Sequence, residues 1–170
     1  ITPNGATSFC QGGTVPLSAT AASSYLWFPD GQTTQSIAVT SSGNYSVRVT
    51  NASGCTALSS VTAINVYTNP VATINAGGAT TFCQGGNVNL TASAGSSYLW
   101  TPGGQTTQTL NATNSGSYTV RVTNSNGCSA TSAATNVTVN SNPVATINAG
   151  GATTFCQGGN VNLTASAGSS

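Results

Sequence analysis

A chain of 170 residues carries three formally charged side chains, Asp30, Arg48 and Arg121, with no histidine, lysine or glutamate. Hydrolytic catalysis needs an acid-base couple, a carboxylate pair or an activated nucleophile. One unrepeated aspartate cannot supply any of these, so the expectation is a non-enzyme with no catalytic residue, no metal site and no cofactor. A net charge of +1 gives no attraction to nucleic acid or to anionic lipid, and no apolar run is long enough for membrane insertion.

Solubility therefore rests on Thr, Ser, Asn, Gln and Gly. An apolar content of 38% with alternating Val, Leu and Ile argues for folded β structure rather than disorder. The text of residues 74–97, INAGGATTFCQGGNVNLTASAGSS, returns unchanged at 147–170, and a drifted version opens the chain at Ile1. The period is 73 residues, and 44 of the 73 positions in 1–73 are identical to those in 74–146. Self-similarity at a fixed period marks a tandem array, whose useful properties are reach, multivalent contact and mechanical continuity. The expected units are 1–67 (its first strand missing), 68–140, and 141–170 as the truncated start of a third repeat. Ile1 lacks the TNPVAT that precedes Ile74, so the chain is expected to be a segment of a longer array.

Gly12-Gly13, Pro29-Asp30-Gly31, Ser42-Gly43 and the Asn51 to Gly54 stretch mark turns in the first copy. Between such turns lie short runs rich in β-branched and aromatic residues. In the second copy this places strands at 71–75, 87–94, 98–101, 109–113, 117–123 and 133–140. Alternation is clearest at Val88, Leu90 and Ala92 and at Tyr118, Val120 and Val122, which gives those strands one buried face and one wet face. The predicted fold is all-β, with tandem Ig-like antiparallel sandwiches in a linear array.

Trp27 and Trp100 fall in the strand where such sandwiches bury a tryptophan against the facing sheet. Tyr45 and Tyr118 follow a Ser-Gly-x turn, the position of a tyrosine corner. All four are read as core, and an aromatic ligand platform built from Tyr25 and Trp27 is the competing reading. Phe28 and Tyr67 align with Thr101 and Asn140, so they are read as exposed aromatics available for surface contact. Arg48 and Arg121 share one outward-facing position. They either dock a carboxylate or glycan, or cover apolar surface with their stems.

The pattern C-x-G-G-x-V-x-L-x-A, Y-L-W, T-T-Q-[ST]-[IL], G-x-Y-x-V-x-V-T-N and G-C resembles the Ig-like and PKD-like repeats of large surface and secreted proteins of the Bacteroidetes type. The resemblance spans both full copies and the start of the third. It implies an extracellular location and a place in stalks of adhesins, gliding-associated proteins or secreted enzymes. The expected function is a non-enzymatic structural repeat forming a stiff stalk or filament. The rivals are an adhesive, carbohydrate-binding module and accessory domains of a secreted enzyme. Expected partners are neighbouring repeats in the same or adjoining chains, with glycans or surfaces as further candidates.

Five cysteines stand at 10, 55, 83, 128 and 156, two per complete period. Regular cysteines in small β domains point to an oxidising compartment, and with no CxxC spacing and no histidine a zinc site is disfavoured. One bond inside each domain, Cys10 with Cys55 and Cys83 with Cys128, is the simplest pairing. In an Ig-type sandwich, however, those cysteines lie at opposite ends, separated by about 20 Å at ~3.3 Å per strand residue. A disulfide needs Cα atoms within about 7 Å. The geometry favours a bond between successive domains, Cys10 with Cys128, leaving Cys55, Cys83 and Cys156 for partners outside the segment. The intradomain pairing and free or interchain thiols stay open as alternatives. The linkers Thr68-Asn69-Pro70 and Ser141-Asn142-Pro143 are short and stiffened by proline, which suits a fixed junction.

Overall fold

A computed structural model of the chain describes residues 1–167. The first repeat folds into β1 (Thr2–Pro3), β2 (Ser8–Cys10), β3 (Val15–Ser18), β4 (Ser24–Phe28), β5 (Ser36–Val39), β6 (Gly43–Thr50), β7 (Thr56–Leu58) and β8 (Thr62–Tyr67). The second repeats this order as β9 (Ile74–Ala76), β10 (Thr81–Cys83), β11 (Val88–Ala92), β12 (Ser97–Thr101), β13 (Thr109–Ala112), β14 (Gly116–Thr123), β15 (Ser129–Thr131) and β16 (Thr135–Asn140). After the next linker, β17 (Ile147–Ala149) and β18 (Leu163–Ala165) pair with each other.

In each complete repeat three strands form one layer, in the order β1-β3-β5 or β9-β11-β13. The facing layer runs β2-β8-β6-β4 or β10-β16-β14-β12, with β7 or β15 adding to the far half of the long strand. Each complete repeat is an immunoglobulin-like sandwich. The alternating positions read from sequence face inward. Val88, Leu90 and Ala92 of β11 meet Tyr118, Val120 and Val122 of β14 around Trp100, and Val15, Leu17, Val47 and Ile64 surround Trp27 in the first domain. The two clusters of buried side chains are separate, so each domain has its own core.

Three features differ from the sequence expectation. The first domain does not lack its first strand, because β1 pairs with β3 through Thr2 opposite Ser18 and Pro3 opposite Leu17. The cysteine before the long inner strand is not in a loop. Phe82 and Cys83 belong to β10, which runs parallel to β16 with Cys83 opposite Asn140, and β2 pairs with β8 in the same way. The strand expected at 133–140 is β16, and a further short strand not expected from the sequence, β15, precedes it; the two pair with different halves of β14.

The break between those strands is held by one side chain. Ser132 Oγ accepts from the backbone N–H of Val120 at 3.1 Å, while the Ser132 N–H donates to the Val120 carbonyl at 2.9 Å. Ser59 makes the same pair of bonds with Val47. The hydroxyl replaces a ladder acceptor lost at the break. Changing Ser132 to alanine should leave the buried Val120 N–H unpaired and cost the second domain about 1–3 kcal/mol, read as a fall in the denaturation midpoint. A midpoint equal to wild type would show that the hydroxyl is dispensable.

Candidate functional site: the junction between domains

The parallel pairing of β2 with β8 carries Cys10 to the point where the chain leaves the first domain. Cys10 stands opposite Tyr67, and the Gln11 N–H donates to the Tyr67 carbonyl at 2.8 Å. The linker is then tied to this end, with Asn69 Nδ2 donating to the Gln11 carbonyl at 3.2 Å. Gly12, at φ +94°, and Gly13 close the turn after Cys10. A Cβ on Gly13 would lie 3.0 Å from the Phe9 ring and 3.1 Å from the Cys10 carbonyl, so the close approach requires glycine there.

From the other side comes the hairpin between β14 and β15. Asn124 Oδ1 accepts from the N–H groups of Asn126 and Cys128, both at 3.0 Å, and Gly127 takes φ +80°. This is an asparagine-capped turn that fixes the direction of Cys128. The same side chain uses its other end for docking, because Asn124 Nδ2 donates to the linker carbonyl of Thr68 at 2.9 Å. Cys10 and Cys128 form a disulfide with Cα atoms 5.5 Å apart. Cys128 Sγ lies 3.9 Å from the Tyr67 carbonyl oxygen. A disulfide sulfur carries no hydrogen, so this is a packing contact.

The intradomain alternative, Cys10 with Cys55 and Cys83 with Cys128, is not formed. Cys83 sits where β16 leaves the second domain, whereas Cys128 sits in the hairpin at the opposite end of β14. Cys55, Cys83 and Cys156 are exposed and unpaired within this chain.

The remaining candidates fall elsewhere. Trp27 and Trp100 are buried, and their indole N–H groups donate to the carbonyls of Thr34 at 2.8 Å and Thr107 at 2.9 Å. Tyr45 and Tyr118 are buried with their hydroxyls donating to the carbonyls of Ser41 and Asn114, four residues earlier, as a tyrosine corner requires. With Trp27 enclosed and Tyr25 Oη accepting from the Ala22 N–H, those two rings do not make an open platform. Phe28 is exposed. Tyr67 is half-buried and its backbone belongs to the junction. Arg48 and Arg121 are exposed on the outer face, Arg48 opposite Leu26 and Leu58, Arg121 opposite Leu99 and Thr131. Among the described residues no three His, Cys, Asp or Glu side chains cluster as metal ligands, and no helix is long and apolar enough to cross a membrane.

Burial, and to a smaller degree the Asp30 carboxylate, hold the Tyr45 phenol above its ordinary 10.0. The native state therefore binds this proton more tightly than the unfolded chain does, so its contribution is complete below pH 10.0 and is lost as pH rises through the folded value. Urea midpoints taken from neutral pH into the alkaline range should decline for the first domain, and Tyr45→Phe should flatten the decline. An unchanged slope in the variant would assign it to other groups.

No family model matches this chain, and no curated relative does. Solved structures of similar shape include murine CEACAM1b, at 12% identity over 78% of this chain and 96% of that one, TM-score 0.37. A marsupial T cell receptor is 14% identical over 88% of this chain and 76% of that one, TM-score 0.45. The fibronectin(III)-like modules of Clostridium thermocellum CbhA are 14% identical over 79% of this chain and 89% of theirs, TM-score 0.36. At these values the fold rests on the strand order described above, and no activity is transferred.

Proposed function

We propose that the chain is a non-catalytic structural array outside a bacterial cell, part of a stalk or filament whose Ig-like domains are joined end to end. The observation that carries this reading is the disulfide between Cys10 of one domain and Cys128 of the next, reinforced by the bond from Asn124 to the Thr68 carbonyl. A covalent crosslink between consecutive domains restricts bending at the junction, a property with mechanical use and no catalytic use. A structural disulfide fits an oxidising compartment, and the resemblance to Bacteroidetes-type repeats points the same way. Neighbouring repeats are the partners in this reading. An adhesive glycan-binding module would gain from a row of exposed rings, and Phe28 does not begin one, because its counterpart in the next repeat is Thr101.

Small-angle X-ray scattering of the oxidised chain should fit a narrow range of interdomain angles, and reduction with dithiothreitol should widen that range without unfolding either domain. Equal breadth before and after reduction would remove the mechanical role of the bond and with it the argument for a stalk.

A further inference from the structure

The two complete repeats share most of their sequence but differ in character on one face. On the outer side of the layer β2-β8-β6-β4, register sets Leu26 and Leu58 on either side of Arg48, Phe28 beside Ser46 and Ala63 beside Asn44. Leu26 is half-buried, and Phe28, Leu58 and Ala63 are exposed. The equivalent places in the second repeat hold Leu99, Thr101, Thr131 and Asn136. Three positions are therefore apolar in the first repeat and polar in the second, while the cores beneath both faces stay apolar. A sheet face that meets only water gains nothing from apolar side chains gathered around its centre, and such a patch marks a contact surface.

Charge divides the repeats in the same way. Asp30, the only carboxylate side chain in the sequence, is exposed in the turn after Phe28, and its counterpart is Gly103. Arg48 lies opposite Leu26, Phe28 is two residues further along β4, and Asp30 is two residues beyond Phe28. The ring thus stands between a cation on one side and an anion on the other.

We infer that this face of the first domain docks on the same face of a second copy of the chain, with the β4 strands antiparallel across the interface. A two-fold axis lying in the interface and crossing the strands at Phe28 sets the two rings against each other. The same rotation brings Arg48 of each copy over Asp30 of the other, so one contact pairs both charges and covers the apolar side chains between them. An acidic ligand seated on Arg48 would instead meet Asp30 as a like charge at the edge of the patch. The contact is side by side, so it goes beyond the end-to-end array and does not depend on it. It belongs to the first repeat, because the second has neither the ring nor the carboxylate.

The test is sedimentation equilibrium of the full oxidised chain, with its free thiols alkylated so that no crosslink imitates association. Wild type should pass from monomer to dimer as its concentration rises into the millimolar range, and added salt should weaken the dimer. Phe28→Thr combined with Leu58→Thr puts the second repeat's own residues on the face. That variant should stay monomeric while keeping the first-domain melting transition. Arg48→Asp, which faces carboxylate with carboxylate twice across the axis, should weaken the dimer about tenfold, and so should Asp30→Arg. The exchange of both, Arg48→Asp with Asp30→Arg, should restore it, and Arg121→Asp on the other repeat should leave it unchanged. A wild-type chain that stays monomeric, a dimer that survives Phe28→Thr with Leu58→Thr, or a charge exchange without recovery would each overturn the inference. A monomer that instead binds polygalacturonate through Arg48 would assign the face to acidic glycans. None of these results bears on the Cys10–Cys128 bond, so the stalk reading stands or falls separately by its scattering test.

Discussion

Replacing Trp100 with alanine should destabilise the second domain by about 3–5 kcal/mol, the range for large-to-small aromatic changes in a core that cannot collapse into the space. The side chain is 1% exposed and lies within the cluster formed by Leu90, Leu110, Tyr118 and Val120. Its loss removes those contacts and also leaves the Thr107 carbonyl without the indole N–H that it accepts at 2.9 Å. Because the first domain encloses its own Trp27 in a separate cluster, calorimetry should show one transition moving and the other staying near its place. Trp100→Phe should recover part of the loss by refilling volume, but not the hydrogen bond. A melting curve close to wild type combined with lost glycan affinity would return the aromatic residues to a binding role.

The parts of this fold legible in the sequence are those whose signal is local. Alternation over Val88, Leu90 and Ala92 tells which face of β11 is buried without knowing what lies opposite, and the Ser-Gly-x-Tyr turn states its own hydrogen bond. β10 could not be read in this way. Thr81, Phe82 and Cys83 are three residues between glycine turns, and their strand character comes from a parallel partner, β16, more than fifty residues later. The split between β15 and β16 did leave a signal, since Ser59 and Ser132 are identical in the two copies, but a lone serine between strand-like runs reads as punctuation. The backbone role of Tyr67 is hidden for a different reason. Its side chain is replaced by Asn140 in the next copy, while its structural contribution is the carbonyl that Gln11 uses, and backbone roles are invisible to side-chain comparison. The double use of Asn124 was likewise hidden. An Asn-x-x-Gly-Cys turn announces the cap, and only the neighbouring domain shows what the other end of the amide holds.

The disulfide at the junction should stabilise both domains, and this separates it from an intradomain bond. Cys10 is paired in register with Tyr67, so if the second domain unfolds while the first stays intact, the bond closes a loop running in effect from Tyr67 to Cys128. Loop-closure entropy for about 60 residues is on the order of 4 kcal/mol, and typical disulfides deliver about 2–4 kcal/mol. The argument is reciprocal. If the first domain unfolds, the loop runs from Cys10 to the start of the second domain and has a similar length. Both melting transitions of the variant carrying Cys10→Ser and Cys128→Ser should therefore fall, each by about 2–4 kcal/mol in stability. The bond from Asn124 to Thr68 remains available in that variant but is left to hold the junction alone, at about 0.5–1.5 kcal/mol. Calorimetry of the double variant beside the oxidised wild type measures both transitions at once. A fall confined to one domain, or none in either, would mean that the crosslink does not couple the two domains in solution.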